Sequence, residues 1–381
     1  MKIGILTQPL HTNYGGLLQN YALQQTLIRA GHDVETIDWG TPDMLLTDWF
    51  RFKRFLLLKF GGKKYKSLKP LLTKQEKTVI QSNTNRFIQT QIRHTKAMTC
   101  LEDFEAQARR GRYDAYIVGS DQCWRPKFNP FLSAMFLSFL KDGKAKRIAY
   151  AASFATDQWE FSEEMTAQCA PLAQKFNLIT VREDSAVQLC KEHLGVDAIH
   201  VLDPTLLLAR EDYQNLVETE NEPHSSGSLF NYILDPDETK SAFIDRVANE
   251  LGLVPFQVLP KYQVGNRTVE DVKNNIEDCI FPKVTTWIRA FMDAEMTIVD
   301  SFHGVVFSIL FNKPFWIIGN NERGMSRFTS LLKLFNLENR LLDLNELDKV
   351  VFTSPIDWES VNAILEKQRI VSNDLLLNSL E

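Results

Sequence analysis

Lys2-Ile3-Gly4-Ile5-Leu6-Thr7 opens the chain, and Asn13-Tyr14-Gly15-Gly16-Leu17-Leu18-Gln19 follows shortly after it. The first run is short and apolar, as a buried strand requires. Asn13-Tyr14-Gly15-Gly16 reads as a turn. Leu17, Leu18, Tyr21, Leu23 and Leu27 then recur at helical spacing. Gly31 stands where a left-handed residue would end that helix, and Val34–Trp39 reads as the next strand. A strand, a crossover helix and a second strand make the repeating unit of a parallel sheet.

The same alternation continues outward. Ala115–Val118, Arg147–Ala152 and Leu178–Val181 read as buried strands, with a helix over Asp184–Leu194 ended by Gly195. The polar stretch Glu218–Ser228 carries Pro and Gly and has no apolar face, so it marks a boundary. Beyond it come strands at Phe230–Leu234, Val254–Leu259, Met296–Val299 and Phe315–Ile318. Helices at Glu238–Leu251, Val284–Met292 and Val305–Phe311 separate them. The pattern predicts two α/β domains facing across a cleft, with parallel sheets covered by helices. The expected division is 1–222, 223–340, and a C-terminal helical segment 341–381 packing back on the first domain.

The composition agrees with a folded, water-soluble chain. Its 381 residues are 44% hydrophobic and 24% charged, and they include 25 Phe. A net charge of −5 provides no general attraction for nucleic acid. Cys100, Cys123, Cys169, Cys190 and Cys279 are scattered without any C-x-x-C pair, so they read as free thiols in a reducing compartment. No apolar run approaches the roughly 20 residues of a bilayer span, and no secretory h-region is visible. The expected location is the cytoplasm, or the inner face of a membrane. Residues 49–69 depart from the average, with eight Lys/Arg, six aromatics and no acid. That mixture suits either a solvated basic helix or contact with an anionic lipid surface.

Ligands of open α/β sheets bind beyond the carboxyl ends of the strands, which narrows the search to a few loops. In the first half these hold Asn13, Tyr14, Gly15, Gly16, Ser120, Asp121, Ser153 and Arg182. In the second they hold Asp300, Ser301, His303, Gly304, Arg323, Ser326 and Arg327. His303 is the candidate acid or base, placed between a strand ending near Val299 and a helix starting near Gly304. Arg182, Arg323 and Arg327 are the cations expected to hold a phosphate or carboxylate. The remaining histidines show no metal-ligand spacing, so no metal is expected. Cys123 has no evident histidine partner and reads as packing.

Read in order, several blocks resemble the polysaccharide pyruvyl transferase family. They are Lys2–Thr7 with Asn13–Gln19, Tyr113–Ala115 with Gly119–Trp124, Ala149–Phe154, Val181–Ser185, Val201–Thr205, Asp300–Gly304 and Arg323–Phe328. The resemblance spans roughly residues 1–335. It implies two Rossmann-like domains in a GT-B-like arrangement. It also implies transfer of the pyruvyl group of phosphoenolpyruvate, without a cofactor, onto two hydroxyls of a sugar as a cyclic ketal. The acceptor is typically a bacterial cell-envelope glycan, such as an exopolysaccharide or capsule, or its lipid-linked precursor. In that reaction Arg182, Arg323 and Arg327 would hold the donor and His303 would move protons. Many family members carry an arginine two residues before the motif histidine, where this chain has Ser301. The alternatives are a nucleotide-sugar glycosyltransferase on the same architecture and a non-catalytic glycan-binding component of polysaccharide assembly.

Overall fold

The computed structural model describes residues 1–40, 72–140, 143–262, 269–319, 324–352 and 354–381. Arg323 and the basic segment 49–69 lie outside the described residues. The first sheet contains β1 (Lys2–Leu6), β2 (Asp33–Thr36), β3 (Ala115–Val118), β4 (Lys146–Ala152), β5 (Leu178–Val181) and β6 (Ile199–His200). Every pairing is parallel, in the order β2-β1-β3-β4-β5-β6. Helix α1 (Tyr14–Arg29) crosses from β1 to β2, and α2 (Asp184–Leu189) follows β5. Ile3, Ile5 and Leu6 are fully buried because β1 has neighbours on both sides and helices on both faces.

The second sheet is also parallel, in the order β11-β10-β9-β7-β8. It is built from β7 (Leu229–Tyr232), β8 (Pro255–Phe256), β9 (Met296–Val299), β10 (Phe315–Ile318) and β11 (Leu341–Leu342). Its helices are α3 (Glu238–Leu251), α4 (Val284–Asp293), α5 (Phe302–Leu310) and α6 (Ser326–Phe335). β8 is shorter than its apolar run suggests, since it is an edge strand that opens on Pro255, which has no N–H to donate. β11 pairs with β10, and Leu347 and Phe352 join the core beneath this sheet. Residues 341–352 therefore belong with the second sheet. Helix α7 (Trp358–Asn378) returns to the first, where Leu376 is fully buried and Ser372 accepts a hydrogen bond from Leu202 N–H at 3.1 Å.

In each sheet the chain leaves a central strand to both sides, between β1 and β3 in the first and between β7 and β9 in the second. Loops diverge at such switch points and open a crevice. One apolar cluster joins the halves: Tyr14, Leu17 and Leu18 of α1 pack with Trp287 and Phe291 of α4 and with Phe302 and Phe307 of α5. Tyr14 stacks on Trp287 with ring centroids 5.8 Å apart and donates its hydroxyl to Pro282 O at 2.9 Å. Tyr14 is therefore a joint between the halves and not a ligand-facing residue. Among the described residues no helix is long and apolar enough to cross a membrane.

Candidate functional site

The two switch points face one another across a cleft of about 620 Å³. From the first half it is lined by His11, Asn13, Gly15 and Asp121, and from the second by Asp235, Asp300, Ser301, Phe302, His303 and Arg327. Tyr232, Tyr262 and Phe281 form an aromatic wall.

His303 does not precede its helix, as its sequence neighbours suggested, but sits in its first turn. Ser301 caps the helix, accepting from Gly304 N–H at 3.0 Å, so the helix begins at Phe302. This is the preferred chemistry of an N-cap, and it turns the imidazole toward the first domain. His303 Nε2 is buried, 3.5 Å from Asp203 Oδ2, an ion-pair distance with no close hydrogen bond. On the ring's other side Nδ1 lies against the Cα of Gly15, where an added Cβ would stand only 2.0 Å away. The ring is thus held between Asp203 and the first turn of α1, with His303 on the cleft wall.

Asp203 is the carboxylate behind His303; Asp300, its neighbour in sequence, is not. Asp203 accepts from Thr205 N–H at 3.0 Å, Thr205 Oγ1 at 2.6 Å and Arg182 Nη1 at 3.1 Å. Burial alone would raise its pKa, but His303, Arg182 and Thr205 together hold it well below the usual carboxylate range. Asp300 instead accepts from Leu234 N–H, Asp235 N–H and the buried Lys240 ammonium. It pins the loop after β7.

Arg182 is buried and already engaged. Its Nη2 faces Asp121 Oδ1 at 3.1 Å and Ser153 Oγ at 3.2 Å, its Nη1 faces Asp203, and its guanidinium lies 4.4 Å above the Phe302 ring. In this arrangement it ties two carboxylates together, and both of its terminal nitrogens are engaged by the protein. Burial opposes its charge, yet Asp121, Asp203 and Glu183 raise its pKa above the ordinary arginine value. Asp121, like Asp203, is lowered: burial raises it, and Arg182, His303 and Arg327 outweigh that.

Arg327 is the described arginine that reaches the cleft. Burial, then the like charge of Arg182, lowers its pKa to about 10, so it stays protonated at neutral pH. Gly324 brings this helix in close. It has φ +88°, and a Cβ there would meet Ala155 O at 1.9 Å, so only glycine allows the two backbones to touch.

The other predicted residues serve as caps and internal partners. Asn13 caps α1, accepting from Gly16 N–H at 3.2 Å. Ser120 donates to Ala151 O at 2.8 Å and lies 3.3 Å from Asp203. Ser153 bonds Glu183, whose carboxyl is raised chiefly by burial. Gly304 packs on Val299, and Ser326 opens α6. Ser120, Ser153, Gly16 and Gly304 do not line the cleft; their polar atoms are used inside the protein. Asp203 and His11 also belong to the site, and neither stands out in the sequence. Asp203 follows a strand of only two residues, too short to show as an apolar run. Cys123 is buried and its thiol is pushed up to about 12, which leaves it inert.

A family model for polysaccharide pyruvyl transferases matches residues 13–322, most of the chain and every cleft-lining residue except His11, Thr12 and Arg327. The chain belongs to the polysaccharide pyruvyl transferase family. No curated protein matches it by sequence. Among solved structures, this pyruvyl transferase family member is similar to Arabidopsis thaliana UGT89C1 complexed with quercetin. That pair has a TM-score of 0.51 at 9% identity, over 98% of each chain. It is also similar to a UDP-GlcNAc 2-epimerase from Neisseria meningitidis bound to UDP-GlcNAc, with a TM-score of 0.49 at 10% identity, over 100% of this chain and 99% of that one. At such identity the likeness is one of fold, and the fold is GT-B.

Proposed function

We propose that this transferase moves the pyruvyl group of phosphoenolpyruvate onto two hydroxyls of a sugar in a cell-envelope polysaccharide or its lipid-linked precursor. The observation that carries the reading is the convergence of His303, backed by Asp203, with Arg327 on one inter-domain cleft. Phosphoenolpyruvate brings a phosphate and a carboxylate, which need cations. Its methylene carbon must gain a proton and the attacking hydroxyls must lose theirs, which needs a group titrating near neutrality. Arg327 supplies a buried cation and the His303 imidazole the proton carrier. Arg182 acts one step back by fixing Asp121 and Asp203. No cofactor or metal takes part. The aromatic wall of Tyr232, Tyr262 and Phe281 offers flat surfaces for the C–H face of a sugar ring.

Two measurements test this. Phosphoenolpyruvate should raise the thermal midpoint while UDP-GlcNAc leaves it unchanged. His303→Ala should keep the fold but lose phosphate release with a competent acceptor. Stabilisation by the nucleotide sugar alone would favour a glycosyltransferase, and full turnover without His303 sinks the assignment. For residues 49–69 we propose peripheral contact with the inner face of a membrane, on the strength of their basic and aromatic composition. Replacing Lys53, Arg54, Lys59, Lys63 and Lys64 with Gln should weaken co-sedimentation with anionic vesicles and leave phosphoenolpyruvate binding intact.

A further inference from the structure

Two imidazoles line the cleft. His11 lies on the loop after β1, at the switch point of the first sheet, and shares the cleft with His303 from the second. We propose that His11 is a second catalytic residue, the base that takes the proton of the first attacking hydroxyl while His303 serves the donor's methylene carbon. The proposal rests on the phosphoenolpyruvate reading above.

The reaction moves protons at four atoms, the methylene carbon, two hydroxyl oxygens and the departing phosphate, and two such groups can divide them. Phosphoenolpyruvate and a sugar diol become a ketal carboxylate and hydrogen phosphate. The methylene carbon gains one proton, the two hydroxyls lose two, and the departing phosphate carries one away. Protonated His303 gives its proton to the methylene carbon, and C2 becomes the electrophile. The first hydroxyl oxygen bonds to C2 as its proton passes to neutral His11. The C2–O bond to phosphate then breaks, the electron pair leaving with phosphate, which takes the proton from His11. The second hydroxyl bonds to C2 and returns a proton to His303. Both rings end as they began, with no further reactant. A single histidine would have to give and take protons at two different atoms of one bound complex.

The loop is held for such a task. Asp38 Oδ1 accepts from Leu10 N–H at 3.2 Å, Gln8 Nε2 donates to Gln122 O at 2.8 Å, and Asn13 caps α1 just beyond. His11 Nδ1 lies 3.4 Å from Thr12 Oγ1. Of the charged groups, Asp121 acts on the ring from the loop after β3. Lys127, Asp235, Asp300 and Arg327 line the same cleft. Burial lowers the His11 pKa against the opposing pull of Asp121, which suits a base that starts neutral at pH 7.

The test uses the full chain, phosphoenolpyruvate, and a panel of methyl hexopyranosides as acceptors, with phosphate release followed from acid to alkaline pH. His11→Gln should lower kcat roughly 10²–10⁴-fold. It should keep the KM for phosphoenolpyruvate and the midpoint shift that this donor produces. It should also remove the acid limb of the pH profile of kcat/KM and leave the alkaline limb in place. His11→Asn checks that the loss follows the ring and not the shape of one replacement. Turnover close to wild type with both limbs present overturns the proposal. Loss of the phosphoenolpyruvate midpoint shift along with activity also overturns it, by making His11 a wall residue. A wild-type protein that is neither stabilised by phosphoenolpyruvate nor able to release its phosphate overturns the donor reading itself.

Discussion

Alanine at position 15 would add one methyl carbon, 2.0 Å from His303 Nδ1, 2.3 Å from its Cγ and 2.8 Å from its Cβ. Ordinary contact needs about 3.5 Å, so the ring must retreat by more than about 1 Å. Gly15 is the second residue of α1, where alanine by itself would favour the helix by about 0.5–1 kcal/mol. Overpacking against the ring opposes this with roughly 1–3 kcal/mol. Gly15→Ala should therefore destabilise the protein by up to about 2 kcal/mol. Displacing the His303 imidazole from its working position by an ångström should cost on the order of 100-fold in turnover. The deciding assay is a double-mutant cycle by thermal or urea unfolding, read beside phosphate release from phosphoenolpyruvate. In a His303→Ala background the obstacle is gone, and Gly15→Ala should become neutral or stabilising. Equal destabilisation in both backgrounds, or wild-type turnover in Gly15→Ala, refutes the contact.

Four further variants probe the charges. Asp203→Asn breaks a fully buried ion pair and should destabilise by about 3–5 kcal/mol in urea unfolding. Because the folded pKa of Asp203 is depressed, its stabilisation is present above the unfolded value near 3.9 and is lost as pH falls below it; the Asn variant should lose that part of the acid dependence. Asp38 shows the opposite sign, with burial raising its carboxyl to about 6. Its contribution is present below about pH 4 and lost as pH rises through about 6, so Asp38→Asn, which keeps an acceptor for Leu10 N–H, should be the more stable protein at pH 8, by on the order of 2 kcal/mol. Arg327→Met should abolish the midpoint shift given by phosphoenolpyruvate, whereas Arg182→Met should lower the midpoint of the protein alone, since it removes the guanidinium hydrogen-bonded to both Asp121 and Asp203. A phosphoenolpyruvate shift unchanged by Arg327→Met removes that residue from donor binding.

The local periodicity of the sequence was enough to place most strands, because a buried parallel strand is a short apolar run with turn residues beyond it. Ala115–Val118, Leu178–Val181, Met296–Val299 and Phe315–Ile318 stand where their side chains predict. The loops after these strands also contained His303, Asp121 and Arg327, since the carboxyl ends of strands are where such folds place polar groups. What those groups face was decided by tertiary structure alone. Asp203, a hundred residues from His303 in sequence, becomes its partner, while the adjacent Asp300 turns to Lys240 and the loop after β7. Arg182 looked like an anion ligand, yet two carboxylates from other strands take its guanidinium. His11 carried no signal of its own until the two sheets brought its loop opposite α5. Apolar burial acts within a window of a few residues and can be read along the chain. Charge pairing acts through space over a few ångströms, and the distances it depends on exist only after the two sheets have packed.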